Sequence, residues 1–351
     1  MRTVRNIATI LLFTIASFEE VQAAKRVVGA CLAGQRFATI QAAIQASTPG
    51  DTVQVCPGNY AEQVIINIPL TLEGVKSGAS QAAVITGVPA LAGSIAAQIL
   101  VQNTSGVTVS GIIVDGTADA CTDSVYGIGL YGATAFINNS VVRNVTGTGT
   151  NACPGRAIGA FNGSELTVKN SIIHDCYQGI STSYSTANIA NNTIVTKQIS
   201  INLGSTSGPL TITNNFVNAG IGCTPPDCEG EGIGIYQAPA TISNNTINLA
   251  PNAQGLGIDI EESQNARVVD NKVSGAWQAI SLTNCTTSVV AGNILRNSGY
   301  VALTPYDYSP GGNIITNNSV EEAPCGMNLA AAKGDTLAPN TYYDTVLTTC
   351  N

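Results

Sequence analysis

Carboxylates crowd one region of the chain. Asp227, Glu229 and Glu231 alternate along five residues, and Asp259 and Glu261 follow two positions apart. On a strand, Asp259 and Glu261 would leave the same face roughly 6.6 Å apart. That separation suits inverting glycoside hydrolysis, with one carboxyl as acid and the other as base across a water. Asp227, Glu229 and Glu231 could instead hold Ca²⁺ through several oxygens and bridge this acidic protein to an acidic polysaccharide. A solvated acidic face with Lys197 opposite Glu231 would give the same pattern. A second set is mixed: Asp115, Arg143 and His174 recur at equivalent places in successive repeats, with Asp175 and Lys197 in the next column. Arg143 would neutralise a uronate carboxylate while His174 takes the proton, although a surface charge ladder would look alike. Tyr131, Phe161, Tyr184 and Tyr236 edge the same face and could hold sugar rings, or could stack on one another.

The elements that position these residues repeat. Segments such as INNSV, IANNTI, ITNNFV, ISNNTI and ITNNSV place an Asn at 139, 170, 192, 215, 245, 271, 293 and 318. A second motif runs in phase: YGIGLY, RAIGAF, QGISTS, QISINL, EGIGIY, LGIDIE and QAISLT. Short alternating segments joined by Gly and Asn turns, at a period of roughly 22 residues or more, predict a stacked β-solenoid. Equivalent residues then form columns. The Asn column is expected at a sharp corner, where Asn tolerates a left-handed backbone and passes amide hydrogen bonds from coil to coil. The motif isoleucines 128, 158, 180, 199, 233, 258 and 280 are expected inward, with the residues one and three places later outward. Asn103, Asn144, Asn162 and Asn284 lie outside the ladder and are candidate glycosylation acceptors.

The chain has 351 residues, a formal net charge of −8, ten cysteines and one histidine. Met1 to Ala23 reads as a secretory signal peptide: Arg2 and Arg5, an apolar run from Ile7 to Phe18, then Val21-Gln22-Ala23. Its removal takes two arginines and two glutamates, so the charge stays near −8. An exported chain with an even number of cysteines is expected to hold disulfides rather than zinc; plausible pairs are Cys31 to Cys56, Cys223 to Cys228 and Cys325 to Cys350. Acidity without a basic run argues against nucleic acid, and no segment predicts a transmembrane span. A monomer that is secreted, periplasmic or extracellular is the expectation.

The run TIQAAIQASTPGDTVQVCPGNYAEQVIINIPLTLEGV holds a helix pattern at 37 to 47, with Ile40 and Ile44 on one face, followed by alternating strands. It resembles the opening turn of right-handed parallel β-helix proteins of the pectin-lyase-like superfamily, including NosD-like proteins and pectin-modifying enzymes. The expected architecture is all-β: a single-stranded right-handed parallel β-helix with an N-terminal helical cap. The expected divisions are 1–23 signal peptide, 24–75 cap and first coil, 76–321 repeats, and 322–351 C-terminal cap. The resemblance implies carbohydrate as the class of partner. The chain lacks the paired-Asp and GHG motifs of polygalacturonases, the QD and DxxxG context of pectinesterases, the arginine motif of pectate lyases and the DPHD motif of alginate epimerases, so no family's catalytic residues carry over. The expected function is an exported β-helix that binds and cleaves polysaccharide by lyase or hydrolase chemistry, the alternative being a non-catalytic binding or surface module. One histidine and two methionines make metal-centre assembly, as implied by NosD-like proteins, a poor fit.

Overall fold

Alternating apolar segments of three to six residues cannot bury their inner face alone, and stacking one repeat on the next solves this. In the computed structural model the described residues are 23–76, 82–87, 91–92, 95–116, 125–150, 153–205, 208–222, 230–250, 254–306, 311–328 and 334–350. Their strands form three long sheets of 14, 12 and 14 strands, called here the first, second and third. One coil visits each sheet once: Glu231–Tyr236 lies in the third, Ala240–Ser243 in the first and Thr246–Leu249 in the second. Strands along each sheet pair in parallel with their equivalents on the neighbouring coils, as Ile212, Ile242 and Val268 do in the first sheet and Val217, Ile247 and Val273 in the second, while Leu91–Ala92 and Gly147–Thr150 add short antiparallel pairings at the third. These six side chains are buried, each burial being worth about 1.5–3 kcal/mol.

The paired asparagines divide the work expected of one residue. The residue one place before the ladder takes the left-handed backbone, the first of the pair at Asn191, Asn214, Asn244 and Asn317 and the asparagine before Ser140 and Ser171 at Asn139 and Asn170, all with φ between 48° and 58°. The second is buried and forms the ladder. Asn215 Nδ2 donates to Asn245 Oδ1 at 3.0 Å, Asn245 Nδ2 to Asn271 Oδ1 at 3.0 Å, and Asn271 Nδ2 to Asn293 Oδ1 at 3.1 Å. Each Oδ1 also accepts a backbone N–H from the coil before, as Asn271 Oδ1 does from Asn245 at 3.0 Å. The other amide hydrogen goes to a main-chain carbonyl, Ile242 O in the case of Asn271. Asn139 and Asn170 therefore stand outside the ladder; Ser140 and Ser171 take its first places, with Ser171 N–H donating to Asn192 Oδ1 at 2.9 Å. Asn103, Asn144, Asn162 and Asn284 serve other corners, also with positive φ.

The inward isoleucines follow the expected column with one correction. Ile180 pairs with Ile201, and Ile201 with Ile233, so Ile201 rather than Ile199 occupies the core place in QISINL. Near the start, Ile40–Gln45 is helical and buries Ile40, Ala43 and Ile44 in the same core. It is shorter than 37 to 47 because Gln35–Phe37 is a strand and Thr39 caps the helix, its hydroxyl accepting the Ala42 N–H. Past Glu321, where the sequence pattern fades, parallel pairing continues: Ser319 pairs with Thr341 and Cys325 with Leu347.

Two disulfides fall where spacing suggested, Cys31–Cys56 and Cys325–Cys350. Cys223 and Cys228 lie outside the described residues. The expectation that cysteines serve disulfides fails at Cys176, a free and buried thiol; Cys285 is buried as well. Cys285 stands in a corner column where serines serve elsewhere, and its thiol donates to Ile260 O at 3.2 Å. Burial pushes the Cys176 thiol up to about 12, so it stays protonated and unreactive.

Two substitutions separate the asparagine roles. Asn271→Ala strips partners from Asn245 N–H and Ile242 O and should cost about 2–4 kcal/mol. Asn244→Gly keeps the left-handed corner and should change stability by less than about 1 kcal/mol. Urea unfolding of both variants checks this; equal losses would refute the division.

Candidate functional site

The outward face of the third sheet gathers the acidic residues through register. Asn202 pairs with Gly234, Gly234 with Asp259 and Asp259 with Ser281, while Tyr236 pairs with Glu261. The corrected register of Ile201 brings Asn202 to the same column as Asp259. A small residue stands before each core isoleucine: Gly127, Ala157, Gly179, Ser200, Gly232, Gly257 and Ala279. Ser200 fits that column and Gln198 does not, which is the signal that identifies Ile201 and hence Asn202.

Asn202, Glu231, Gly234, Tyr236, Asp259 and Glu261 line a pocket of about 320 Å³. Glu231 reaches it by folding back over its own strand. A Cβ at Gly234 would collide with the Glu231 carboxylate, so glycine at 234 is what lets the acid lie there. Asp259 is 8% exposed, and its Oδ1 is buried without a hydrogen-bond partner. Burial is the largest cause that raises its pKa, to about 7; the charge and hydrogen bond of Glu261 push the same way, and the Ser281 hydroxyl and Ile260 N–H oppose. Near neutrality this carboxyl pair therefore holds a proton. Asp259 and Glu261 leave the same strand two places apart and line one pocket. Glu231 pairs with Ile199, not Lys197, and stands as a third carboxylate in the pocket.

The other expected site residues lie elsewhere. Asp227 and Glu229 are outside the described residues, and among the described residues no three His, Cys, Asp or Glu side chains converge as a cation-holding group. Asp115, Arg143 and His174 do form one column, but in the second sheet, so they belong to a different face from Asp259. Arg143 Nε is 2.8 Å from Asp115 Oδ2, and Asn144 Nδ2 holds the other oxygen at 2.9 Å. His174 Nδ1 is 2.6 Å from Asp175 Oδ2. Asp175 itself drops out of register, because His174 pairs with Val195 and Cys176 with Thr196. Of the aromatics, Tyr236 alone lines the acidic pocket. Phe161 packs edge-on against Tyr126, ring centres 5.3 Å apart, and Tyr131 pairs with it one coil earlier. Tyr184 is exposed at a left-handed corner, φ 52°.

Comparison with known proteins agrees with this architecture. The family described as right handed beta helix region matches residues 184–342. Among solved structures, the Dettilon tailspike protein superposes with a TM-score of 0.64 at 14% identity, over 88% of this chain and 64% of that one. This chain thus spans less than two thirds of the tailspike chain. DFA-IIIase from Arthrobacter chlorophenolicus A6 without its lid gives 0.62 at 15% identity, over 90% and 98%. The same enzyme in complex with DFA-III gives 0.53 at 16%, over 91% and 83%. No curated protein matches in sequence. With three parallel sheets and these likenesses, the chain has the right-handed parallel β-helix fold.

The Asp259 carboxyl has a stability signature. Its folded pKa lies above the ordinary value of 3.8, so its contribution is full below about pH 4 and is lost as pH rises through about 7. Asp259→Asn, neutral throughout, should therefore raise the thermal midpoint by several degrees at about pH 8 and change it little at about pH 4. A difference that does not vary with pH would mean that the carboxyl is solvated.

Proposed function

We propose that this chain acts on carbohydrate at the third-sheet pocket, hydrolysing glycosidic bonds with Asp259 as proton donor. The observation that carries the reading is the buried Asp259 carboxyl, raised to about 7 beside Glu261 and open to a pocket that also holds Glu231. An acid that keeps its proton near neutrality can protonate a leaving glycosidic oxygen. The charge of Glu261 beside it helps keep that proton on Asp259. Glu231, on the adjacent coil, supplies the second carboxylate, either to activate water or to attack the sugar. Asn202 and Tyr236 offer hydrogen bonds and a ring edge at the pocket wall. Support also comes from the likeness in fold to an enzyme solved with DFA-III and GF2. Elimination at His174 is the weaker reading, because Arg143 is already paired with Asp115 and free to neutralise a uronate only by giving up that partner. We place the protein outside the cytoplasm, where Cys31–Cys56 and Cys325–Cys350 would persist.

The test is incubation with neutral and uronic polysaccharides, with and without Ca²⁺, following new reducing ends and the ultraviolet absorbance of an unsaturated product. Reducing ends without absorbance are expected, with activity falling as pH rises through about 7. Asp259→Asn should lower kcat by at least about a hundredfold. Gly234→Ala, which pushes the Glu231 carboxylate aside, should lower it by about tenfold or more with the fold intact by circular dichroism. Absorbance abolished by His174→Ala would transfer the chemistry to the second sheet. Binding without product would make the protein a non-catalytic carbohydrate-binding module.

A further inference from the structure

The only tryptophan of the chain lies outside the acidic pocket. Trp277 stacks on Tyr300 with ring centres 5.5 Å apart and planes inclined by 14°. The two hold the same corner position on successive coils: Trp277 N–H donates to Gly255 O at 2.8 Å and Tyr300 N–H to Trp277 O at 3.0 Å. Gly299 leaves room for the stack, since a Cβ there would fall 2.9 Å from Trp277 Cε3. Despite stacking, the two residues are 39% and 43% exposed. Toward the N-terminus, the same corner is held by Gly255 and then Gly230, Leu256 N–H donating to Gly230 O at 3.0 Å. The indole face turned away from Tyr300 therefore meets no side chain in its own column.

That face adjoins the acidic pocket. Trp277 directly precedes Gln278, whose register partner is Leu256, and Leu256 opens the strand that carries Asp259 and Glu261. From strand rise and coil spacing, the Trp277 Cα lies roughly 14 Å from that of Asp259, and the Tyr236 Cα lies roughly 8 Å from it on the opposite diagonal. Two exposed aromatic groups thus flank the carboxyls along one line across three coils.

We propose that Trp277 and Tyr300 form a sugar-stacking subsite, and that the substrate is an uncharged oligosaccharide or polysaccharide chain crossing the third sheet diagonally from Trp277 over Asp259 to Tyr236. This rests on the reading of the acidic pocket as a glycan site. A sugar ring presents C–H bonds on its face and hydroxyls at its rim, so it can lie on an indole while its polar groups stay in water. Charge selects a neutral chain: Glu231 and Glu261 at the pocket, with a net charge of −8 over the chain, repel a uronate polymer.

A single tryptophan makes the test direct, because indole emission reports on Trp277 alone. Asp259→Asn protein would be titrated with xylo-oligosaccharides and inulin-type fructo-oligosaccharides of increasing length, and with oligogalacturonates, by fluorescence and calorimetry. A saturable emission change with neutral chains is expected, with affinity rising until the chain spans the diagonal. Tyr300→Ala in fluorescence, and Trp277→Ala in calorimetry, should each weaken the longer chains by about tenfold and the shortest hardly at all. Calorimetric binding without an emission change, preference for oligogalacturonates, an unaffected Tyr300→Ala, or no binding by any of the probes would overturn the proposal. The outcomes separate it from the catalytic reading. Stacking without new reducing ends in the unsubstituted protein sinks hydrolysis and leaves the subsite. Hydrolysis with kcat/KM unchanged by Trp277→Ala sinks the subsite and leaves hydrolysis.

Discussion

Parallel stacking in register governs this molecule, because the ladder hydrogen bonds of the three long sheets run to the coil before or after. Corners are the weak points of that arrangement, since the chain must reverse direction there while its N–H and C=O groups still need partners. The buried amides of Asn192, Asn215, Asn245, Asn271, Asn293 and Asn318 meet the need at one corner: each accepts a backbone N–H and donates to the next amide and to a carbonyl. A neutral group with two donors and an acceptor can do this repeatedly, and a carboxylate cannot. The same constraint makes columns of equivalent residues, and hence decides which distant parts of the chain can meet.

The site is a departure from that regularity. In the outward column of the third sheet most places are held by Gly129, Gly159, Ser181, Gly234 and Ser281. Small residues are needed because the side chain three positions earlier folds back over them, Tyr126 over Gly159 on the next coil and Glu231 over Gly234. Asp259 puts a carboxyl in this covered column and loses most of its water. A buried carboxylate is costly, so the proton stays on. The strain of an acid in a small-residue column is the kind of local inconsistency that marks function rather than stability.

The two buried thiols follow the same packing logic as the asparagines. Cys285 substitutes for a corner serine, and Cys176 sits at a core place facing Val142 O and His174 O. The two described bridges tie residues 25 apart, one coil to the next.

The solenoid, its coil-by-coil columns and the grouping of Asp259 with Glu261 were legible in the amino-acid sequence, because a repeated pattern of side chains in a stacked fold has few ways to be buried; the cysteine pairing was not, and the structure chose Cys31–Cys56 and Cys325–Cys350. Periodicity reports which residues recur, not which neighbour they touch. QISINL contains two isoleucines two places apart, and either satisfies alternation; only pairing with Ile180 and Ile233 chose Ile201 and moved Asn202 to the pocket. Likewise NN offers two asparagines, and burial alone assigned the ladder to the second. The separation of His174 and Arg143 from Asp259 onto different sheets, the burial of the Asp259 carboxyl, and the meeting of Trp277 with Tyr300 all depend on side-chain direction and coil stacking. Those are properties of neighbours far apart in sequence, and tertiary structure decided them.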